Sequence, residues 1–376
     1  MQLINATRMV AGYTLGLAPS GHESLVVVVK GTFRIPEPDE PAVHFALHET
    51  QLPLVMADTF SGAAGFSAPV QEADFAPHKP HCDILLQGSA HAPGGRPVSR
   101  LQAGVRIGGW SKSLAVVGPR HWESGIGGAG ATPPGVFLRQ PISYDVAFGG
   151  VDDRHEDAAE HAAFLPNPVG RGFHRHLRLD WVEGSPLPAT EELDAPVRSP
   201  DGNYRPMAFG PLGRGWQPRA ALAGTYDAHW LDAHFPFLPP DFDPRYHQAA
   251  PADQQVPLGH FDAGPAEVVL GNLTPQGLTR FVLPHLVAPV HVFPKRGGRE
   301  DLTAQLDTIV IEPDAQRFSL TWRVARPLRR DLFEIAQVLV GKKGREWWQQ
   351  REQLAFPIPV VMVPMDGPDA EAGVAG

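Results

Sequence analysis

The sequence predicts an all-β protein. It should consist mainly of antiparallel strands in two sandwich- or barrel-like halves, with long Pro/Gly-rich loops and one C-terminal helix. Three observations carry this reading. Gly (39) and Pro (40) together make up about a fifth of the 376 residues, against an ordinary share of roughly 12%. They break helices and punctuate turns. Apolar runs are of strand length and rich in β-branched residues, and turn signals recur about every ten residues, as in sandwiches and barrels. Hydrophobic residues are 43% of the chain, enough for a sizeable core.

The elements follow in order. ESLVVVVKGTFRI (23–35) is bounded by Ser20-Gly21 and Pro36 and reads as a buried strand. CDILLQGSAHA (82–92) and VFLRQPISYDVAFGG (136–150) read as further strands. The stretch 98–122 splits at Gly108-Gly109 into two alternating runs, which predicts a hairpin. GGAGATPPG (127–135) reads as a flexible loop, since it lacks the lysine and following helix of a phosphate-binding loop. Residues 1–155 thus form a first β half. Residues 156–205 are Ala-, Pro- and Glu-rich and read as a linking loop region with at most a short helix. A second β half follows over 206–364, with strands at 266–273, 279–284, 288–294, 306–313 and 317–328. RRDLFEIAQVLVGKKGREWWQQREQ supplies the helix near 329–352, and residues 365–376 should fray.

Composition excludes several functions. The net charge is −9, with no Lys/Arg block, which argues against nucleic acid as a partner. A single cysteine excludes an internal disulfide framework and fits a reducing, cytoplasmic setting. The N-terminal residues carry no signal-peptide pattern, and no apolar run is long enough to span a bilayer.

Three clusters invite chemistry. APHKPHCDILLQGSA (76–90) gathers His78, Lys79, His81, Cys82 and Asp83. A zinc site needs three or four converging ligands, and a cysteine nucleophile needs a remote base. Pro80 breaks the helix that would align His78 with His81, and Cys82 and Asp83 fall on opposite faces of a strand. The stretch reads better as a strand entrance with Lys79 and Asp83 in local polar contacts. No metal and no cofactor are predicted. NPVGRGF (167–173) fixes a tight backbone through Asn167, Gly170 and Gly172, and displays Arg171 between two glycines, a candidate either to hold loops together or to contact a protein partner. GTYDAHWLDAHFPFLPPDFD (224–243) interleaves aromatics with carboxylates. This suits either core packing or a protein–protein surface, with Tyr226, Asp227, Trp230, Phe237 and Asp241 as candidate contacts. An alternative is a metal-assisted hydrolase using His78, His81, Cys82 and Asp83, or the acidic loop 227–243.

Taken together, VVVVKGTFRI, PHKPHCDILLQGSAHAPGG, KSLAVVGPRHW, PISYDVAFGGVD, NPVGRGF, AFGPLGRGWQPR, the loop 223–255, LGNLTPQG, FVLP and LDTIVIEPDAQRFSLTWR resemble one family. It is the adaptor (chaperone) family of bacterial type VI secretion systems, encoded beside effectors with PAAR-like N-terminal domains. The resemblance covers about residues 1–325. Its pattern includes a lysine, an aspartate and a Gly-x-Ala, matched by Lys79, Asp83, Gly88 and Ala90, and does not require His78, His81 or Cys82. The resemblance implies a non-enzymatic cytoplasmic protein. It would bind and stabilise the N-terminal, PAAR-like region of a cognate effector and help load it onto the VgrG spike.

Overall fold

The computed structural model describes residues 1–18, 20–37, 40, 46–125 and 128–355. Residues Met1–Gly341 form one compact unit, and Lys342–Gly376 a second. The expected frayed tail, 365–376, lies outside the described residues.

The fold is all-β. In chain order its main strands are β1 Gln2–Asn5, β2 Val10–Leu17, β3 Glu23–Arg34, β4 His81–Leu86, β5 Arg100–Ile107, β6 Trp110–Val117 and β7 Thr190–Glu191. Then come β8 Gln255–Pro257, β9 Ala266–Gly271, β10 Leu278–Leu283, β11 Ala288–Pro294, β12 Glu300–Glu312, β13 Arg317–Pro327 and β14 Ile335–Val340. The helices are short: α1 Leu179–Val182, α2 Ala228–Ala233 and α3 Arg345–Ala355.

A nine-stranded sheet runs β1-β14-β11-β12-β13-β3-β2. The long β12 divides one of its edges. Its first part pairs antiparallel with β11, and its second part pairs parallel with β4, which carries β8 on its far side. β1 and β2 end the series and are joined only by residues 6–9, so the sheet curls nearly into a barrel. A second, antiparallel sheet runs β7-β6-β5-β9-β10. β5 and β6 are the predicted hairpin, turning at Gly108 with φ 54°.

β3 shows why LVVVV is a strand and not half of an alternating pattern. Val26 to Val29 are all buried because both faces of β3 are covered. Leu25, Val27 and Val29 face the main core. Lys30 lies on the opposite face, bonded to Asp74 at 2.9 Å, where residues 52–77 lie across the sheet. The two sheets share that main core. Phe33 of β3 stacks on Phe318 of β13, which stacks on Phe281 of β10, with centroids 5.2 and 5.0 Å apart. Each such ring contributes about 1.5–3 kcal/mol through burial.

The two predicted halves do not separate. β1, β2, β3 and β4 share a sheet with β11 to β14, and β5 and β6 share one with β9 and β10. The residue 156–205 region is not a linker. Its Phe164, Val182, Leu187 and Val197 form a small core with Trp122 and Phe148, and its β7 joins the second sheet. The helix expected near 329–352 begins only at Arg345. Residues 335–340 are β14, paired with β11 and β1, and Gly341 ends it at φ 88°. The apolar residues 336, 339 and 340 fit a strand as well as a helix, and two waiting strand partners decide. Gly128–Ala131 is also ordered, as a short strand on Trp122–Gly125.

Candidate functional site

The cluster at the start of β4 resolves into an ion-pair network. The Lys79 Nζ lies 2.8 Å from Asp83 and donates to the Thr308 hydroxyl at 3.0 Å. The lysine side chain is 4% exposed and the aspartate 0%, so this is a buried pair. Burial works against the charge, but the carboxylates of Asp83 and Asp307 outweigh it and hold the Lys79 ammonium above its usual range. Asp83 also accepts from Gln248 at 2.6 Å and from the Ala249 amide at 2.8 Å. Arg323 extends the network, 2.5 Å from Asp307 and 3.0 Å from the Ala76 carbonyl.

The neighbouring residues go elsewhere. His78 is exposed, while Cys82 enters the main core with its thiol pushed well up by burial. A thiolate is thereby disfavoured. Among the described residues, no group of three or more His, Cys, Asp or Glu could hold a metal ion.

Asn167 is fully buried, and its side-chain amide donates to the carbonyls of Tyr144 (2.9 Å) and Phe148 (3.0 Å). It thereby pins Phe148–Gly149 beside Arg171–Gly172, which pair in parallel. A Cβ on Gly170 would sit 2.4 Å from Asn167 Nδ2 and 2.6 Å from the Ala147 carbonyl. Gly172 has φ 95°. The chain here has room only for glycine. Arg171 is half-buried with no ion pair among the described residues, and its Nε is buried without a hydrogen-bond acceptor. Burial alone pulls its pKa down.

Two arginines of segment 207–255, Arg214 and Arg219, bolt it to residues 58–72. Arg214 meets Asp58 at 2.7 Å and Glu72 at 2.6 Å. Arg219 reaches Glu72 and donates to the carbonyls of Tyr246 (2.9 Å) and Leu212 (2.7 Å). His247, beside these cations, has its pKa lowered to about 4 by burial and by Arg214 and Arg219.

From this frame the loop 224–243 rises to the surface. Asp227 caps α2 by accepting from the Trp230 amide at 2.8 Å. Asp241 closes the base of the loop, accepting from the Thr225 amide (3.0 Å) and hydroxyl (2.8 Å). Those bonds, and Arg245 against Asp243, hold both carboxyls below their usual range. A glycosidase acid needs the opposite shift. Trp230 is the half-buried hub. Its Nε1 donates to the Phe237 carbonyl at 2.9 Å, and Tyr226 and Phe235 meet it edge-on at 4.7 and 5.7 Å. Around the hub, Tyr226 (52%), Leu231 (59%), Phe235 (62%) and Phe237 (45%) remain exposed. Phe237 abuts Gly21, just past edge strand β2, where Tyr13 and Leu15 are also exposed.

The predicted contact residues therefore split. Tyr226 and Phe237 present apolar surface. Asp227, Trp230 and Asp241 build the loop that presents it. No hydrogen bond or ion pair among the described residues joins Arg171 to this loop. Leu231 and Phe235 also belong to this surface, beyond the contacts expected from the sequence. Residues 10–17 form edge strand β2 although Gly12 and Gly16 interrupt its β pattern. Both glycines are there because Leu54, Phe75 and Pro77 press on the backbone.

A family described as "Uncharacterized protein conserved in bacteria (DUF2169)" matches residues 20–323. The chain belongs to this family. No curated protein and no solved structure matches it. The family match starts beside Gly21 and ends at Arg323, so it takes in the whole buried network and the 224–243 loop.

Proposed function

We propose that this DUF2169 protein is a non-catalytic adaptor that binds and stabilises an apolar segment of a protein partner. One observation carries the reading: the exposed side chains Tyr226, Leu231, Phe235 and Phe237 sit within twelve residues on one loop held by Trp230, Asp227 and Asp241. A rigid aromatic cluster gives contact area at little ordering cost. Edge strand β2 lies beside it, and an extended segment added there would gain backbone hydrogen bonds.

The sequence resemblance supplies the partner in this proposal. It is the N-terminal, PAAR-like region of a secreted type VI effector, held in the cytosol until loading onto the VgrG spike. Among the described residues, no helix is long and apolar enough to cross a membrane.

The test is co-expression with the product of a neighbouring PAAR-like effector gene. The expected outcome is co-elution in gel filtration and a gain in effector solubility. Separate elution with no gain in solubility rejects the proposal.

A further inference from the structure

A second recognition feature lies where the β11–β12 turn meets the connection from β13 to β14. Together they line an open pocket of about 520 Å3, within the range of roughly 300–1,000 Å3 that takes a small ligand. Its walls carry six cationic side chains against three acidic ones, in a chain whose net charge is −9.

The three acids are consumed in building the site. Buried Arg326 grips Glu300 through two bonds, at 2.7 and 2.8 Å, and Glu334 at 2.5 Å. Glu334 also accepts from the amides of Arg329 (3.1 Å) and Arg330 (3.2 Å). Asp331 caps the amide of Phe333 at 2.8 Å. The Lys295 amide donates to the Glu334 carbonyl at 2.8 Å, which ties the two loops together. Gly297 and Gly298, at φ 88° and 89°, make the turn. What is left unneutralised is cationic. The side chains of Arg296, Arg329 and Arg330 are exposed and have no ion pair among the described residues. Lys295 lies over the face of Phe333, 5.8 Å from its centroid, and Phe333 is 73% exposed.

We infer that this pocket binds an acidic peptide segment, with two or more carboxylates on the arginines and one apolar side chain against Phe333. Planar guanidinium groups match carboxylates in paired geometry. The largely exposed Phe333 ring beside them asks for apolar contact, which a simple inorganic anion does not offer. A patch this small, on an acidic chain, is a poor track for a nucleic-acid backbone. This deepens the adaptor reading, on which it rests for the source of the segment.

The test measures fluorescence anisotropy of a labelled peptide carrying paired glutamates and one leucine, added to the full chain. Its glutamine counterpart, a single-stranded DNA oligonucleotide and inorganic phosphate are run alongside. The expected result is saturable binding of the acidic peptide, at least tenfold weaker binding of the glutamine peptide, and weakening with salt. The triple variant R296E/R329E/R330E should lose binding at least tenfold with an unchanged circular dichroism spectrum. Phe333→Ala provides a charge-neutral second variant and should weaken binding severalfold. Equal binding by wild type and both variants overturns the inference. So does tighter binding of the oligonucleotide, or full displacement of the peptide by phosphate at equal concentration. If peptide binding fails while the effector still co-elutes, only this inference falls. If the effector never co-elutes, the adaptor reading falls, and the peptide result still decides the pocket.

Discussion

The Lys79 ammonium and the Asp83 carboxylate lie 2.8 Å apart in a site that solvent does not reach. Removing one partner strands the other, which costs about 3–5 kcal/mol in such a setting. Asp83→Ala should therefore destabilise the protein by about that amount in urea unfolding. Lys79→Met combined with Asp83→Leu should cost less than the sum of the single variants. It will not be neutral, because the Ala249 amide loses its acceptor. Strict additivity would mean the two charges do not interact.

The aromatic loop separates display from support. Phe235→Asp and Leu231→Asp replace exposed side chains, so stability should change by no more than about 0.5 kcal/mol. Binding of an effector segment should fall at least tenfold by calorimetry. Trp230→Asp removes the hub and its bond to the Phe237 carbonyl. It should both weaken binding and lower the melting temperature. Unaltered binding in the two surface variants would remove the loop from the interface.

Arg171 is a half-buried cation without a carboxylate. Arg171→Met keeps the length and discards the desolvated charge, so stability should hold or rise by about 1 kcal/mol. A clear loss of stability would show that the guanidinium has a partner in solution. A loss of effector binding at unchanged stability would make Arg171 a contact residue.

His247 gives the fold a pH dependence of definite sign. Its folded-state pKa of about 4 lies below the ordinary 6.5. Between those values the unfolded chain takes up a proton that the folded chain refuses. The contribution is intact above pH 6.5 and is lost as pH falls toward 4. It should amount to roughly 1–3 kcal/mol. His247→Asn should flatten this part of the stability profile in thermal melts at stepped pH. A variant curve parallel to wild type would exclude the histidine as the source.

Run length and punctuation made much of the fold legible. A short β-branched apolar run bounded by turn residues, as at 25–29, marks a covered strand, and Gly108-Gly109 marks the separate hairpin of β5 and β6. What was not legible depends on partners far off in sequence. Residues 335–340 carry a pattern open to helix or strand until β1 and β11 lie alongside. Aromatics at 226–237 fit a core as well as a surface, and only burial separates the two. Lys79 and Asp83 are visible as a polar pair, but their sealing by Gln248 and Thr308 comes from residues more than 160 positions away. The arginines of the 294–334 pocket read as scattered surface charge, because Arg326 and its two glutamates come from three separate strands or turns.

The pairing of β3 with β13 has a consequence for biosynthesis. Residues 23–34 lie beside residues 317–327 in the finished sheet. During vectorial synthesis the ribosome releases the valine-rich strand long before its neighbour exists. At about 5–20 residues per second, that strand waits some tens of seconds without its partner. The nascent chain therefore passes through a stage in which it needs shielding itself.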